Sequence, residues 1–422
     1  MQRQNGGRTD RATGPNGVRH GEQNILRRIT ILVWYEKRVD GTRDLAPDRR
    51  KTLRWTVSKD VRQFRVVPLF VRKLHRPTLE TSKMSLIPFA EMQKVITSAF
   101  LNAGLNEVDA HTCARIHTES SCDGVNSHGI NRVARFVDYV NKGWINLDGK
   151  PSLVKDLSAI EIYDGNRGPG VLNALFATNR AMAIAEQQGV GIVALRNTTH
   201  WMRGGAYGWQ AADRGYIAIS WTNTESCMPG WGGKDTRVGN NPFVMAVPRA
   251  KGNIVLDMAM SQYSYGKLQA SRLKGKNMPF PAGFDTQGNL TVEPGPIEAS
   301  MRILPMGYWK GSGFAIMLDV LAAVLSEGLA TNAIDKINEG SCTGCSQIFI
   351  LIDPRKLGGS AFTNQVADSV ADYVNSSELA EDSREVRYPG QSVLMTRHEQ
   401  RENGIAVDDG VWSEVLALAA AK

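Results

Sequence analysis

The sequence predicts an α/β protein with a helical lobe, preceded by a basic extension that lacks the pattern of a stable core. Three observations predict it. Apolar residues recur at helical spacing from Ala90 to Val140, and from Leu172 onward helical stretches alternate with short apolar, β-branched runs. Residues 1–83 show neither period and hold 20 Lys and Arg against 8 Asp and Glu. The remaining residues hold 30 against 34, so the net charge of +8 belongs to the extension and the body is mildly acidic.

At 422 residues the chain exceeds what one hydrophobic core usually serves, and two lobes plus an appendage are expected. Its 42% hydrophobic and 22% charged residues suit a globular protein. No uninterrupted apolar run approaches the ~20 residues that span a bilayer, and no apolar segment precedes a small-residue cleavage site. A cytoplasmic location with no membrane partner is therefore expected. Five cysteines (113, 122, 227, 342 and 345) are too few and odd in number for a disulfide framework, so reduced thiols are expected.

Within residues 1–83, only 29–35 and 66–71 have strand-like composition, and Pro68 would interrupt the second. A basic arm for RNA or a membrane surface is one reading; a weakly structured or non-native extension is the one adopted. From Ala90, Met92, Val95, Ile96, Ala99 and Phe100 mark a helix that Gly104 ends. A second helix follows through Val108, Ala110, Cys113 and Ile116. The polar, glycine-bearing stretch 122–129 separates it from a third, which carries Val133, Phe136, Val137 and Val140 and closes at Gly143. Next come a helix through Leu172, Leu175, Met182 and Ala185 stopped by Gly189, a strand at 191–195, a short helix at 207–212, and strands at 216–221, 244–247 and 254–258. A loop-rich stretch (274–296), an apolar helix at 312–325, a strand at 347–352 and two closing helices complete the chain.

His128 and Arg132 stand one turn apart at a helix entry beside a glycine-flanked loop. Imidazole, with an ordinary pKa near 6.5, suits proton transfer to an alkoxide near neutrality, and a planar guanidinium suits a carboxylate through two parallel hydrogen bonds. A satisfied loop histidine is the plainer alternative, and a helix entry disfavours imidazolium without an acidic or substrate-borne partner. His200 follows a strand, at a position where α/β proteins bind ligands. Asp257 sits in an otherwise apolar strand and needs a partner or borders a site. No Gly-x-Gly-x-x-Gly fingerprint is present. Gly165 to Gly170 has the wrong spacing for a phosphate cradle, while Lys310-Gly311-Ser312-Gly313 opens a helix and fits an anion better. The Cys342/Cys345 pair has redox or zinc spacing but lacks a second ligand pair and the expected fold context, so no metal is expected.

Longer motifs connect these residues. Ser127-His128-Gly129-Ile130-Asn131-Arg132, Leu195-Arg196-Asn197 with His200-Trp201-Met202-Arg203-Gly204-Gly205, Gly208-Trp209-Gln210-Ala211-Ala212, the segment from Arg302 through Tyr308-Trp309-Lys310 to Gly313, and Gly404-Ile405-Ala406-Val407-Asp408-Asp409 resemble the malate/L-lactate dehydrogenase-like family. The likeness runs from Met84 to the C-terminus. It implies a family-specific, non-Rossmann NAD(P)-binding fold, a homodimer with its active site between lobes, and a small 2-oxo acid as substrate, reduced with NADH or NADPH. His128 would be the proton donor, with Arg132, His200 and Asp257 beside it. Cofactor contacts would fall on Asn253, Ile254, Val255, Leu256, Asp257, Met258 and Ala259, on Trp309 and Lys310, and on Gly390, Gln391 and Ser392, where a family member carries a histidine and a glutamate. The implied division is residues 1–83 as the extension, 156–310 as the NAD(P)-binding α/β domain, and 84–155 completed by 311–422 as the helical lobe. Malate, lactate and ureidoglycolate dehydrogenases and cyclic-imine reductases share this scaffold; nucleic acid is not an expected partner.

Overall fold

The apolar stripe that starts at Met92 becomes the buried face of a helix. In the computed structural model, which describes residues 84–340, 343–381 and 383–421, β1 (Met84–Ile87) leads into α1 (Phe89–Asn102), whose Met92, Ile96, Ala99 and Phe100 are buried. The extension, its two candidate strands and Cys342 lie outside the described residues. Asn106 caps α2 (Glu107–Cys122), its side chain accepting from the Asp109 amide at 2.9 Å. Two single 3₁₀ turns, Asn126–His128 and Ile130–Arg132, then precede α3 (Val133–Asn141).

The alternating part runs β2 (Ser152–Asp156), β3 (Ile160–Asp164), α4 (Gly170–Gln188), β4 (Val190–Thr198), α5 (Gly204–Asp213) and β5 (Ile217–Thr222). After the small pair β6 (Met228–Pro229) and β7 (Thr236–Val238) come β8 (Phe243–Val247), β9 (Ile254–Met258) and α6 (Tyr265–Leu273). Next are the pair β10 (Gly283–Phe284) and β11 (Leu290–Thr291), α7 (Pro294–Ser300), α8 (Trp309–Ser326), α9 (Thr331–Ile337) and β12 (Cys345–Ile352). The described chain closes with α10 (Gly359–Asn375), α11 (Gln391–Asn403), β13 (Ile405–Asp408) and α12 (Asp409–Ala420).

Seven strands form one mixed sheet in the order β2-β3-β4-β12-β5-β8-β9, in which only β3 and β4 run parallel. Alternation along each strand divides the side chains between two cores. Val193, Leu195, Phe349 and Leu351 face a cluster shared with α1–α5 and α12, whereas Ile348 and Ala194 face Ala315, Leu318 and Ala322 of α8. One continuous hydrophobic cluster thus joins the first helices to the sheet.

Three sequence expectations change here. The return at residue 311 comes later, because α8 packs on the second face of the sheet and β12 lies at its centre; the helical layer regains the chain only through β13, which pairs with β1, and α12, which packs on α1. A strongly apolar helix reads the same in sequence whether it covers a sheet or joins a bundle. The two closing helices are three, with β13 among them. The loop-rich stretch holds β10, β11 and the start of α7.

Among the described residues, α8 is the one helix long and apolar enough to cross a membrane by length and composition. It lies against the sheet, where the Trp221 indole donates to the Leu318 carbonyl (3.1 Å) and the Asn241 amide to the Ala315 carbonyl (2.8 Å). Its other face leaves Phe314, Met317, Val320 and Val324 exposed.

Candidate active site

The loop that carries His128 is held on both sides. Asn126 donates to the Ala406 carbonyl (2.8 Å), and the Ile130 amide donates to the Ser121 hydroxyl (2.8 Å). Within it, the Ser127 hydroxyl meets His128 Nδ1 at 3.0 Å, and Arg132 Nε donates to the Ser127 carbonyl at 3.0 Å. The imidazole and the guanidinium are therefore fixed to the same residue. From the opposite side comes His200, just past the end of β4. Its ring lies 6.0 Å from that of His128, with 19° between their planes.

The glycine run before α4 supports this wall. A side chain on Gly170 would overlap the backbone carbonyls of Thr199 and His200. Its bareness thus lets α4 approach the His200 loop and does not expose amides to a phosphate. Ser312 is likewise engaged, its hydroxyl accepting from the Trp231 amide at 2.9 Å, so the anion reading of that helix start rests on Lys310 and backbone alone.

Electrostatics keep both histidines neutral. Burial, then the positive charges of Arg132, Arg203 and Arg135, push His128 down to about 3; burial and Arg132 hold His200 well below its ordinary value. His200 Nδ1 accepts from the Met202 amide (2.9 Å), which assigns its single proton to Nε2. Binding of an anion on Arg132 would remove part of what keeps His128 unprotonated. The arrangement can therefore bind an anion on Arg132 beside a neutral imidazole.

Arg203 fastens this centre to the sheet edge. Its buried guanidinium bonds Asp123, the C-cap of α2, and approaches Asp257 of β9 at 3.2 Å. Arg397 of α11 completes the cluster, reaching Asp123 through two bonds of 2.6 and 2.8 Å and lying over the Trp209 ring at 4.4 Å. Asp257, anomalous in an apolar strand, thus has its partner.

One of the three segments expected to touch a cofactor contains β9, and the other two lie near its opposite ends. The Val255 amide donates to the Pro389 carbonyl (3.0 Å), and Gly390, with φ of +94°, lies so close that an added Cβ would be 3.0 Å from the Val255 nitrogen. Just beyond β9, the Met306 amide donates to the Met260 carbonyl (2.8 Å), which brings the start of α8 alongside. There Trp309 and Lys310 are exposed, the ammonium 6.0 Å from the indole.

Individual side chains differ in what they can offer. Asn253 spends its amide on Asp213 (2.6 Å) and its carbonyl on the Arg249 amide (3.0 Å), holding the β8–β9 turn. Gln391 accepts from the Tyr388 amide (3.2 Å) and Ser392 from Arg387 (2.7 Å), so this segment presents mainly backbone. Ile254, Leu256, Met258 and Ala259 are partly exposed along the same edge. Sequence reasoning missed Ser127, Arg203 and Asp123 as members of the site. Ser127, beside His128, and Arg203, two residues past Trp201, stood in motifs the sequence already marked. Cys345 heads β12 and is buried. Among the described residues, no group of three or more His, Cys, Asp or Glu is arranged to hold a metal.

The chain resembles known proteins in both sequence and fold. The family model described as malate/L-lactate dehydrogenase matches residues 87–416. The chain is 43% identical over 332 residues to a 2,3-diketo-L-gulonate reductase of Citrobacter koseri, covering 79% of this chain and 99% of that protein. Its fold matches sulfolactate dehydrogenase from Methanocaldococcus jannaschii with a TM-score of 0.71 at 27% identity, over 79% of this chain and 96% of that one. A match with delta1-piperideine-2-carboxylate reductase from Pseudomonas syringae has a TM-score of 0.71 at 25% identity, over 79% and 99% of the two chains.

Proposed function

Since the chain belongs to the malate/L-lactate dehydrogenase family, a family of oxidoreductases, we propose that it reduces the C2 carbonyl of 2,3-diketo-L-gulonate with NADH to give 3-dehydro-L-gulonate. The observation that carries the reading is the pairing of a neutral, protonatable His128 with Arg132 on one loop, in a chain so similar to a reductase of that name.

The residues along β9 fit a dinucleotide. Gly390 keeps bare backbone against Val255, Lys310 offers a mobile positive charge at the N-terminus of an 18-residue helix, and the exposed Trp309 indole offers a flat face. Five of the six strand pairings in the sheet are antiparallel, which supports a family-specific rather than a Rossmann cofactor fold. Bound there, NADH supplies the hydride for C2. The protein does the rest. Arg132 takes the substrate carboxylate and fixes C1 and C2 in register, and the arriving negative charge makes His128 easier to protonate. His128 then gives its proton to the oxygen at C2, and His200 Nε2–H, already a donor, stabilises the charge developing there.

The exposed apolar face of α8 supports a homodimer, in which a second copy would cover Phe314, Met317, Val320 and Val324. The closing of the helical lobe by β13 and α12 supports an active site between that lobe and the sheet. The enzyme's place is the cytoplasm on this reading.

A panel of 2-oxo acids, followed by nicotinamide absorbance with NADH and with NADPH, tests the proposal. The largest kcat/KM belongs to 2,3-diketo-L-gulonate with NADH, above oxaloacetate, pyruvate and cyclic imines. Arg132→Lys raises KM for each 2-oxo acid about 10- to 100-fold, because a point charge cannot reproduce the two-pronged bond. No nicotinamide oxidation with any compound contradicts the proposal, and an unchanged KM in Arg132→Lys contradicts the carboxylate role.

A further inference from the structure

We propose that Glu225 is a substrate-recognising residue whose carboxylate accepts a hydrogen bond from a hydroxyl on the carbon chain beyond the reacting carbonyl, so that the site selects polyhydroxylated 2-oxo acids. The inference rests on the reading of the substrate as a 2-oxo acid held by Arg132.

Residues around Glu225 are anchored one by one. Asn223 donates to Asp319 (2.9 Å) and the Leu329 carbonyl (2.7 Å) and accepts from the Ser346 amide (2.7 Å). The Thr224 amide donates to Asn241 (3.1 Å), and its carbonyl accepts from the Thr331 hydroxyl (2.8 Å). The Ser226 amide donates to Asp335 (2.8 Å), and the Cys227 amide to the Val238 carbonyl (3.0 Å). Amid these bonds, Oε2 of Glu225 is sealed from solvent without a hydrogen-bond partner. Leaving a buried acceptor unsatisfied costs about 1–3 kcal/mol and more when it is charged, so a fully tied loop that presents such an oxygen is arranged for a donor that arrives later.

The loop that carries that oxygen is tied to an element that touches the catalytic loop. The Tyr265 hydroxyl donates to the Cys227 carbonyl (2.9 Å), tying the loop to the start of α6. The next residue, Gly266, lies against the catalytic loop, where an added Cβ would be 2.9 Å from Ser127 Cβ. Burial raises the Glu225 carboxyl above its ordinary value against the smaller pull of Arg132 and Arg135, the two guanidiniums whose field His128 and His200 also feel. A substrate whose carboxylate occupies Arg132 extends from there. A hydroxyl would satisfy Oε2, a methyl group would leave it bare, and a second carboxylate would meet like charge.

The test compares kcat/KM for 2,3-diketo-L-gulonate, 2-oxobutanoate and oxaloacetate in the full-length enzyme and in Glu225→Gln and Glu225→Ala. In Glu225→Ala the ratio of the hydroxylated substrate to 2-oxobutanoate falls about 10- to 100-fold, and in isosteric Glu225→Gln it falls less. The ratio of oxaloacetate to 2-oxobutanoate rises in both. Losses equal across the three substrates mean a structural role and overturn the inference, as do unchanged ratios. Should Glu225→Ala fail to fold, Glu225→Gln carries the comparison. Should the unaltered enzyme ignore 2,3-diketo-L-gulonate but reduce 2-oxobutanoate, the substrate named above is wrong, and Glu225 is judged on other hydroxylated 2-oxo acids by the same ratio.

Discussion

His128→Ala lowers the rate of carbonyl reduction about 10²–10⁴-fold, the contribution of a positioned acid–base group. Substrate binding suffers less, because Arg132 keeps its bond to the Ser127 carbonyl. The variant also loses a pH dependence of definite sign. In the free enzyme His128 is held at about 3, so at neutral pH only a small fraction carries the proton that reduction consumes. The value of kcat/KM for reduction therefore falls about tenfold per pH unit as pH rises through neutrality, while oxidation of the hydroxy acid, which needs neutral imidazole, does not fall. Initial rates from pH 6 to 8 check this. A His128→Ala enzyme with near-normal turnover, or an unaltered enzyme with a flat reduction profile, contradicts the assignment.

The second large effect is on stability. Arg203→Met removes a buried guanidinium that serves Asp123 and Asp257 together. Breaking a buried pair by deleting one partner costs about 3–5 kcal/mol, and the lower end applies because Arg397 still reaches Asp123. Arg203→Lys recovers only part of this, since an ammonium cannot fork between two carboxylates. Equilibrium urea unfolding, followed by tryptophan fluorescence, measures both. A loss below about 0.5 kcal/mol in Arg203→Met would mean that the pairing is incidental. The same variant should weaken NADH binding, because Asp257 lies in the strand that the other proposed cofactor segments flank.

How legible these features were depended on the range over which their causes act. Helices α1 to α4 were readable because their apolar spacing is local and because Gly104, Gly124, Gly143 and Gly189 supply the positive φ at which each helix or its following turn ends. β2 was invisible: its five residues are all exposed, so no alternation marks it. β3 was masked by Glu161, a buried acid that Arg180 neutralises from 19 residues away. The insertion of β12 between β4 and β5, and the pairing of β1 with β13, join segments more than 100 residues apart. At the site, the motifs drew attention to His128, Arg132 and His200, but only the fold brings the two rings within 6.0 Å. Nothing local distinguished Glu225 from a surface acid or Asn253 from a ligand contact, because both roles depend on partners brought in by the fold.

The most direct measurement supplies deuterium-labelled NADH and 2,3-diketo-L-gulonate to the purified full-length protein and locates the label in the product by mass spectrometry and NMR. The account predicts 3-dehydro-L-gulonate with one deuterium at C2 for each nicotinamide oxidised. Absence of nicotinamide oxidation, or deuterium at any other carbon, would contradict it.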